Sequence, residues 1–114
     1  MVPLFTVKDP LGRTVILDQD RWDTHISVEH PELDYMWIAE CLESPDFIAV
    51  DTVNKQRRVY YKRNFLPRAS IRRFYLKAVT ELPAVEGNPC RVITAYIASG
   101  AKMGEKLEWP SFSG

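Results

Sequence analysis

The chain has 114 residues, of which 46% are hydrophobic and 26% charged, and its fifteen basic and fifteen acidic side chains give a formal net charge of zero. This composition is typical of one globular domain with its own core, so it excludes a disordered chain and we treat residues 1–114 as a single domain. No apolar stretch is long enough to cross a bilayer, and the N-terminus lacks the basic and apolar regions of a signal peptide, so we expect a soluble cytoplasmic protein.

A short hairpin is predicted at the start of the chain. Phe5-Thr6-Val7 and Thr14-Val15-Ile16-Leu17 are rich in β-branched and apolar residues. Between them stands Asp9-Pro10-Leu11-Gly12, whose proline in second place and glycine in fourth suit a type I turn.

Two helices are predicted next. Asp18 and Asp20 are candidate N-caps for a helix from about Asp20 to Glu29. Pro31 ends that helix, because the residue before a proline is driven out of helical geometry, and it suits the first position of a second helix. Leu33, Trp37 and Cys41 then recur every four residues and give this second helix an apolar stripe, which Ser44-Pro45-Asp46 terminates.

The rest of the chain is predicted to form strands, namely Phe47–Val50, Arg58–Arg63, Arg72–Glu81 and Arg91–Ser99. Two helices followed by a meander of strands indicate an α+β fold. We expect one or two N-terminal helices on one face of a four- to five-stranded antiparallel sheet, with the short hairpin preceding them.

Alternation along the strands assigns side chains to the two faces of this sheet. One face is apolar and is expected to lie under the helices: Val59, Tyr61, Phe74, Leu76, Ala78, Ile93, Ala95 and Ile97. The opposite face is basic, hydroxylated and aromatic: Arg58, Tyr60, Lys62, Arg73, Tyr75, Lys77, Thr94 and Tyr96. Such a surface suits phosphate binding and base stacking.

The charge is strongly segregated in spite of its zero sum. The window from Thr52 to Thr80 holds no acidic residue and nine of the fifteen basic ones: Lys55, Arg57, Arg58, Lys62, Arg63, Arg68, Arg72, Arg73 and Lys77. Concentrated positive charge with interleaved aromatics predicts a polyanion partner, RNA in particular. Part of this window, around Arg68, is predicted to form a basic loop that guides nucleic acid in. The alternative is a solvated strand face, on which lysine and arginine also collect and discourage edge pairing.

His25 and His30 are the candidate proton-transfer groups, because histidine has the side-chain pKa nearest neutrality. RNA cleavage without a metal needs a base for the 2′-hydroxyl, a cation for the phosphorane and an acid for the leaving oxygen. Structural roles are the alternatives: His30 closing the helix junction and His25 pairing with Glu29 one turn on. Thr94 and Tyr96 also have a structural alternative, because threonine and tyrosine are good strand formers.

Cys41 and Cys90 have no partner at a spacing typical of a metal or redox site, so both are predicted to be buried thiols. A zinc site that combined them with the two histidines would need four ligands to converge without a local motif. We therefore expect no metal and no cofactor.

Six short motifs occur in order along most of the chain: Trp22-x-x-His25-Ile26, His30-Pro31-Glu32-Leu33, Pro45-Asp46-Phe47-Ile48, Arg58-Val59-Tyr60-Tyr61, Tyr75-Leu76-Lys77-Ala78-Val79 and Val92-Ile93-Thr94-Ala95-Tyr96. In this order they resemble small phage and mobile-element proteins of the barnase, EndoU, colicin and RelE nuclease superfamily. The resemblance implies a helix-then-sheet fold and a metal-independent ribonuclease, often a toxin, with its active site on the uncovered sheet face.

The resemblance also implies roles for particular residues. Its helical histidine falls on His25 or His30, its strand cations on Arg58 and Lys77, and its terminal hydroxyl groups on Thr94 and Tyr96. Independently of the resemblance, the basic strand face and the loop around Arg68 predict nucleic-acid contacts from Tyr60, Lys62, Arg68, Arg73 and Tyr75. The stretch from Asn64 to Ile71, which contains Pro67 and Arg68, has no counterpart in the family pattern.

Three hypotheses follow for the function. The first is an endoribonuclease that cleaves by 2′-hydroxyl transesterification, with a cognate antitoxin or immunity protein as a further partner. The second is an RNA-binding or ribosome-associated module that kept the fold without the chemistry. The third is a protein-interaction domain, for which the acidic second helix, with Glu32, Asp34, Glu40 and Glu43, offers a surface.

Overall fold

The computed structural model describes residues 2–63 and 74–110. In that part of the chain, seven strands form one sheet: β1 Pro3–Lys8, β2 Thr14–Asp18, β3 Phe47–Val50, β4 Arg57–Lys62, β5 Tyr75–Glu81, β6 Cys90–Ala98 and β7 Lys106–Trp109. Two short helices lie between β2 and β3. Helix α1 consists of Gln19–Arg21, the π-helical turn Trp22–Ile26 and Ser27–Glu29, and helix α2 is Tyr35–Glu43. The fold is therefore α+β, as predicted.

The sheet is larger than the four to five strands expected from the sequence. Its order is β1-β2-β6-β5-β4-β3-β7. The opening hairpin joins the same sheet, because β2 pairs in parallel with the start of β6, and all other neighbours are antiparallel. The sheet is thus mixed, and β7, which pairs with β3, was not predicted.

Helix α2 begins four residues later than the sequence predicted. Pro31 and Glu32 lie in a turn, and Asp34 is the N-cap, its carboxylate accepting a hydrogen bond of 2.8 Å from the Met36 amide. An aspartate at this position satisfies one of the free amides of the first turn. At the start of α1, Asp18 is the N-cap residue as predicted, but its side chain makes no capping hydrogen bond there.

The main core lies between the sheet and the helices. Ile26 of α1 and Ile38, Cys41 and Leu42 of α2 pack with a set of strand residues that are 0% exposed: Val15, Leu17, Ile48, Tyr60, Leu76, Ala78 and Ala95. We call this side of the sheet the helix face.

A second, smaller cluster lies on the other side of the sheet. It consists of Ala49, Val59, Tyr61 and Val79, with Phe47, Tyr75, Ile93 and Tyr96 packed against it. Because successive side chains of a strand point to opposite faces, Tyr60 and Tyr61 belong to different faces. We call this second side the Lys77 face, since Lys77 lies opposite Tyr61 in the pairing of β4 with β5.

A partly buried ionic network joins the hairpin turn to β4 and β7. The Asp9 carboxylate, in a residue only 5% exposed, accepts hydrogen bonds from the Arg13 guanidinium and the Tyr60 hydroxyl. Arg13 also pairs with Glu108 at 2.7 Å, and Glu108 pairs with Arg58 at 2.6 Å. Opposite charges in this network pair with each other while partly shielded from water, so its arginines serve the fold.

Candidate nucleic-acid interface

Lys77 is the central cation of the Lys77 face. In the middle of β5 it lies between Tyr61 of β4 and Tyr96 of β6, which are its direct cross-strand partners. Its ammonium nitrogen is 4.8 Å from the centroid of the Tyr61 ring and 5.8 Å from that of Tyr96. Both distances are within the range at which an aromatic ring attracts a cation.

The charge of Lys77 is only partly compensated. The residue is 5% exposed, and within residues 2–63 and 74–110 no carboxylate oxygen lies within 4.0 Å of its ammonium group. Desolvation by burial lowers the pKa of Lys77, which the field of Glu105 opposes and that of Lys102 reinforces. A buried cation without an ion-pair partner is costly, and an anion supplied from outside would relieve that cost.

Glu105 is the acidic residue whose charge raises the pKa of Lys77, and it was not predicted from the sequence. Its Oε1 accepts hydrogen bonds from the Tyr61 hydroxyl and from the Lys102 amide, the latter at 2.8 Å. Burial, then the bond to Glu105, raises the pKa of the Tyr61 hydroxyl. Glu105 lies beyond the last motif of the family resemblance, just before β7, so no pattern in the sequence linked it to Lys77.

Aromatic rings form the floor beside Lys77. Phe47 stacks on Tyr61 with ring centroids 4.4 Å apart, and Tyr75 meets both rings edge-on at 5.7 Å. The guanidinium of Arg63 lies 4.9 Å from the Tyr75 ring. Tyr61 is 0% exposed and supports the floor from below, whereas Tyr75 is only half-buried and offers its ring at the surface.

The two histidines differ in position. The His30 ring lies 6.1 Å from the Tyr96 ring, at an interplanar angle of 31°, so its imidazole reaches the edge of the Lys77 face. Its Nδ1 is 3.6 Å from a carboxylate oxygen of Glu32. His25 instead pairs with Glu29 one helical turn on, at 3.5 Å. Only His30 thus adjoins a predicted site residue among the contacts described for the chain.

The hydroxyl residues of β6 also belong to the Lys77 face. Thr94 lies opposite Val79 and Tyr96 opposite Lys77. Both are half-buried, and burial is the main cause that raises the pKa of the Tyr96 hydroxyl. The structure therefore brings together His30, Lys77, Tyr96, Thr94 and Tyr75 of the predicted site.

The predicted face of β4 is wrong by one residue, so Arg58, Tyr60 and Lys62 lie on the helix face. Arg58 pairs with Glu108, Tyr60 donates to Asp9, and the Lys62 ammonium donates to the carbonyl of Ser44 at 2.7 Å. Each group is engaged within the fold, on the opposite side from Lys77.

The shift has a physical cause in the middle of β4. Val59, Tyr60 and Tyr61 are all buried, because both faces of the strand carry a core there, so the sequence shows no polar alternation to fix the register. The same shift places Arg57 of β4 on the Lys77 face, two residues before Val59. Arg68 and Arg73, which were also predicted to bind nucleic acid, lie outside the described residues.

Both cysteines are buried and free. The Cys41 thiol donates to the carbonyls of Tyr60 and Leu76 at 3.5 and 3.6 Å, and desolvation raises its pKa. Burial likewise raises the pKa of Cys90. Among the described residues, no three His, Cys, Asp or Glu side chains are grouped to hold a metal ion.

Two surface cavities adjoin the loop between β5 and β6. The larger, of about 960 Å³, is lined by Gln56, Glu81, Asn88, Arg91 and Ile93, among others. The smaller, of about 580 Å³, reaches Arg13 and Cys90. Ile93, which lines the larger cavity, also packs against the Ala49, Val59, Tyr61 and Val79 cluster of the Lys77 face.

The chain matches no protein-family model, and searches of curated proteins and of solved structures found no match. None of the helices in the described part of the chain is long and apolar enough to span a membrane.

Proposed function

We propose that the chain is a metal-independent endoribonuclease that binds cytoplasmic RNA on the Lys77 face. The single observation that carries the proposal is the row His30, Tyr96 and Lys77, which combines a proton-transfer group, a hydroxyl and a partly compensated cation on one surface. These are the kinds of group that phosphodiester cleavage without a metal requires.

In the proposed reaction, the 2′-oxygen of a ribose attacks the adjacent phosphorus as a base removes its proton. The bond from phosphorus to the 5′-oxygen then breaks, and an acid protonates that oxygen, which leaves a 2′,3′-cyclic phosphate and a free 5′-hydroxyl. His30 serves as the base or the acid. Lys77, largely covered by its tyrosines, acts through its positive field on the phosphorane charge, and Tyr96 or Thr94 orients the scissile group.

The chain offers a matched control for this chemistry. His30 contacts Tyr96, whereas His25 pairs with Glu29 on α1. Purified protein is incubated with a single-stranded RNA in EDTA, and the cyclic phosphate ends are measured. We expect cleavage by the wild type and by His25→Ala, and a loss of about 10²-fold or more in His30→Ala and Lys77→Ala, the size typical of a general acid–base group and of an electrostatic stabiliser, respectively. Absence of wild-type cleavage, or equal cleavage by His25→Ala and His30→Ala, would sink the proposal.

A second candidate function is RNA binding without cleavage. It is favoured by one observation: the described contacts bring a single histidine to the Lys77 face, while transesterification uses both a base and an acid. This candidate predicts salt-sensitive RNA binding by the wild type, equal binding by His30→Ala, and no cyclic phosphate product.

A ribonuclease of this kind would endanger the cell that makes it. As an extension of the proposal, the chain is a toxin of a phage or other mobile element, held inactive by an antitoxin or immunity protein. Expression of the chain alone would then arrest growth, and expression of the His30→Ala variant would not.

A further inference from the structure

Arg57 is an arginine of the Lys77 face whose charge is only weakly compensated in the described part of the chain, where it helps to lower the pKa of the Asp51 carboxylate. It begins β4 and lies opposite Glu81 of β5, four residues from the Tyr61–Lys77 pair. Its Nε is buried and makes no hydrogen bond to any described residue, and no carboxylate of residues 2–63 and 74–110 lies within 4.0 Å of its guanidinium. A buried donor without an acceptor destabilises the fold unless a ligand supplies the acceptor.

Arg58, the next residue, shows the contrast. Its Nε donates to Glu108 at 2.6 Å, and another of its nitrogens donates to the Lys55 carbonyl at 2.8 Å. Two adjacent arginines of one strand thus differ in their hydrogen bonding. Arg58 forms its hydrogen bonds within the fold on the helix face, whereas the Nε of Arg57 on the Lys77 face has no hydrogen-bond acceptor among the described residues.

Arg57 does not itself line the larger cavity, but two of its neighbours do. Gln56 precedes this arginine in the chain, Glu81 is its cross-strand partner, and both residues line the cavity of about 960 Å³. The amides of Gln56 and Asn88 and the carboxylate of Glu81 present donors and acceptors of the kind that base edges recognise. Arg91, also in the lining, is paired with Asp18 at 2.6 Å.

We propose that Arg57 binds a second phosphate of the RNA, so that a single strand runs along β4 and β5 from Lys77 to Arg57 and places a base in the cavity. This inference rests on the proposed function, since it extends the same RNA-binding face. Four residues of strand separate the two cations by about 13 Å, which is far enough for them to meet different phosphates of one strand. The guanidinium suits a phosphate because its forked donors match two of the phosphate oxygens.

The test measures binding to an RNA that cannot be cleaved. A fluorescein-labelled 2′-O-methyl oligonucleotide, whose blocked 2′-oxygen prevents transesterification, is titrated by fluorescence anisotropy at several salt concentrations. The variants are Arg57→Gln, Arg57→Lys and the matched control Arg58→Gln. Lys8→Gln, at an exposed position of β1, supplies a second control for the loss of one charge, in case Arg58→Gln fails to fold.

We expect Arg57→Gln to weaken binding several-fold and to lower the slope of log Kd against log salt by about 0.7, the value for one phosphate contact of a single strand. Arg57→Lys should retain most of the slope, and both controls should match the wild type. Equal slopes for Arg57→Gln and the wild type, or an equal loss in Lys8→Gln, would overturn the assignment of Arg57.

Failure of this inference is distinguishable from failure of the proposed ribonuclease. Wild-type binding with the Arg57 effect but without cleavage of unmodified RNA would retain the phosphate site and reject the enzyme. Cleavage with an unchanged salt slope in Arg57→Gln would retain the enzyme and reject the site. A wild type that neither binds the oligonucleotide nor cleaves unmodified RNA would reject both.

Discussion

Lys77 and Tyr61 are direct cross-strand partners, and the lysine ammonium lies 4.8 Å from the centroid of the tyrosine ring. The ring attracts the cation, but it replaces only part of the hydration that the ammonium loses when the residue becomes 5% exposed. Burial of this cation therefore lowers the stability of the fold. Such a loss of stability is expected where a cation is kept for function on an apolar and aromatic surface.

Replacement of Lys77 by methionine is predicted to separate stability from function. Methionine has a similar length and no charge, so Lys77→Met should raise the free energy of unfolding at pH 7 by about 1 kcal/mol or more, as buried charges replaced by apolar groups often do. RNA binding should weaken in the same variant. Urea unfolding and anisotropy titration measure the two effects, and Lys55→Met, at an exposed position, should change stability by less than about 0.5 kcal/mol.

The stability that Lys77→Met gains over the wild type should depend on pH in a definite direction. Burial lowers the pKa of Lys77 in the folded state from its ordinary 10.5, so the unfolded chain binds the proton more tightly. Wild-type stability therefore increases as the pH rises towards and through 10.5, and the advantage of Lys77→Met should shrink over that range. An advantage that stayed constant with pH would contradict desolvation as its cause.

Removal of one hydroxyl group should distinguish the two adjacent tyrosines of β4. Tyr60 donates to Asp9, whose side chain is 0% exposed, whereas Tyr61 donates to Glu105, which is half-buried and more accessible to water. Tyr60→Phe leaves a buried carboxylate short of a donor and should cost about 1–3 kcal/mol. Tyr61→Phe should cost less, about 0.5–1.5 kcal/mol, as an ordinary hydrogen bond does. Urea unfolding of both variants checks the order, and a larger loss in Tyr61→Phe would contradict it.

The sequence predicted the α+β class and the bounds of β3 correctly, because in both cases one kind of sequence signal was dominant. The strand Phe47–Val50 has the predicted bounds, because a proline-containing turn precedes it and apolar residues fill it. The parallel pairing of β2 with β6 was beyond sequence reasoning, because it joins segments more than seventy residues apart through only two pairs, Val15 with Cys90 and Ile16 with Arg91. The hairpin that the sequence predicts as a separate unit is therefore part of the main sheet.

The candidate site was predicted in part. On β5 and β6 most apolar side chains mark one face, so Lys77, Thr94 and Tyr96 were assigned together as the pairing has them. Ile93 was predicted for the face under the helices, but it packs on the Lys77 face at the register shift of β6. On β4 both faces are buried, so alternation could not decide which tyrosine belongs to which face. Glu105 reaches the site from a loop before β7, a contact that depends on the tertiary path of the chain.

Gly12 is predicted to be required by the backbone of the first turn. Its φ of +85° lies in the left-handed region, and its amide donates to the Asp9 carbonyl at 2.9 Å. A side chain at that φ is strained even in open space, so Gly12→Ala should cost about 1 kcal/mol or more. Gly100, which has no positive φ and no neighbour within 4 Å of an added Cβ, is the control. Thermal unfolding should show Gly100→Ala close to the wild type, and equal losses in the two variants would contradict the backbone explanation.

Glu108 is predicted to make the fold sensitive to acid. Burial opposes its ionisation, but hydrogen bonds from Arg13 at 2.7 Å and Arg58 at 2.6 Å outweigh that effect, and the pKa of Glu108 is lowered from its ordinary 4.5. A carboxylate with a depressed pKa contributes stability that is complete above its ordinary value and is lost as the pH falls through the folded value. Unfolding free energies of the wild type should therefore decrease below about pH 4.5, through the protonation of Glu108 among other carboxylates.

The Glu108→Gln variant tests this contribution directly. Glutamine keeps the shape but leaves Arg13 and Arg58 with less negative charge in a network where Asp9 is the remaining acid. We expect the variant to be less stable at pH 7 by about 1–3 kcal/mol, as for a lost hydrogen bond to a charged group. The wild-type and variant stabilities should converge as the pH falls below 4.5, because the protonated Glu108 of the wild type then resembles glutamine. Parallel curves from pH 7 to pH 3, measured by urea unfolding, would show that the network does not hold Glu108 ionised.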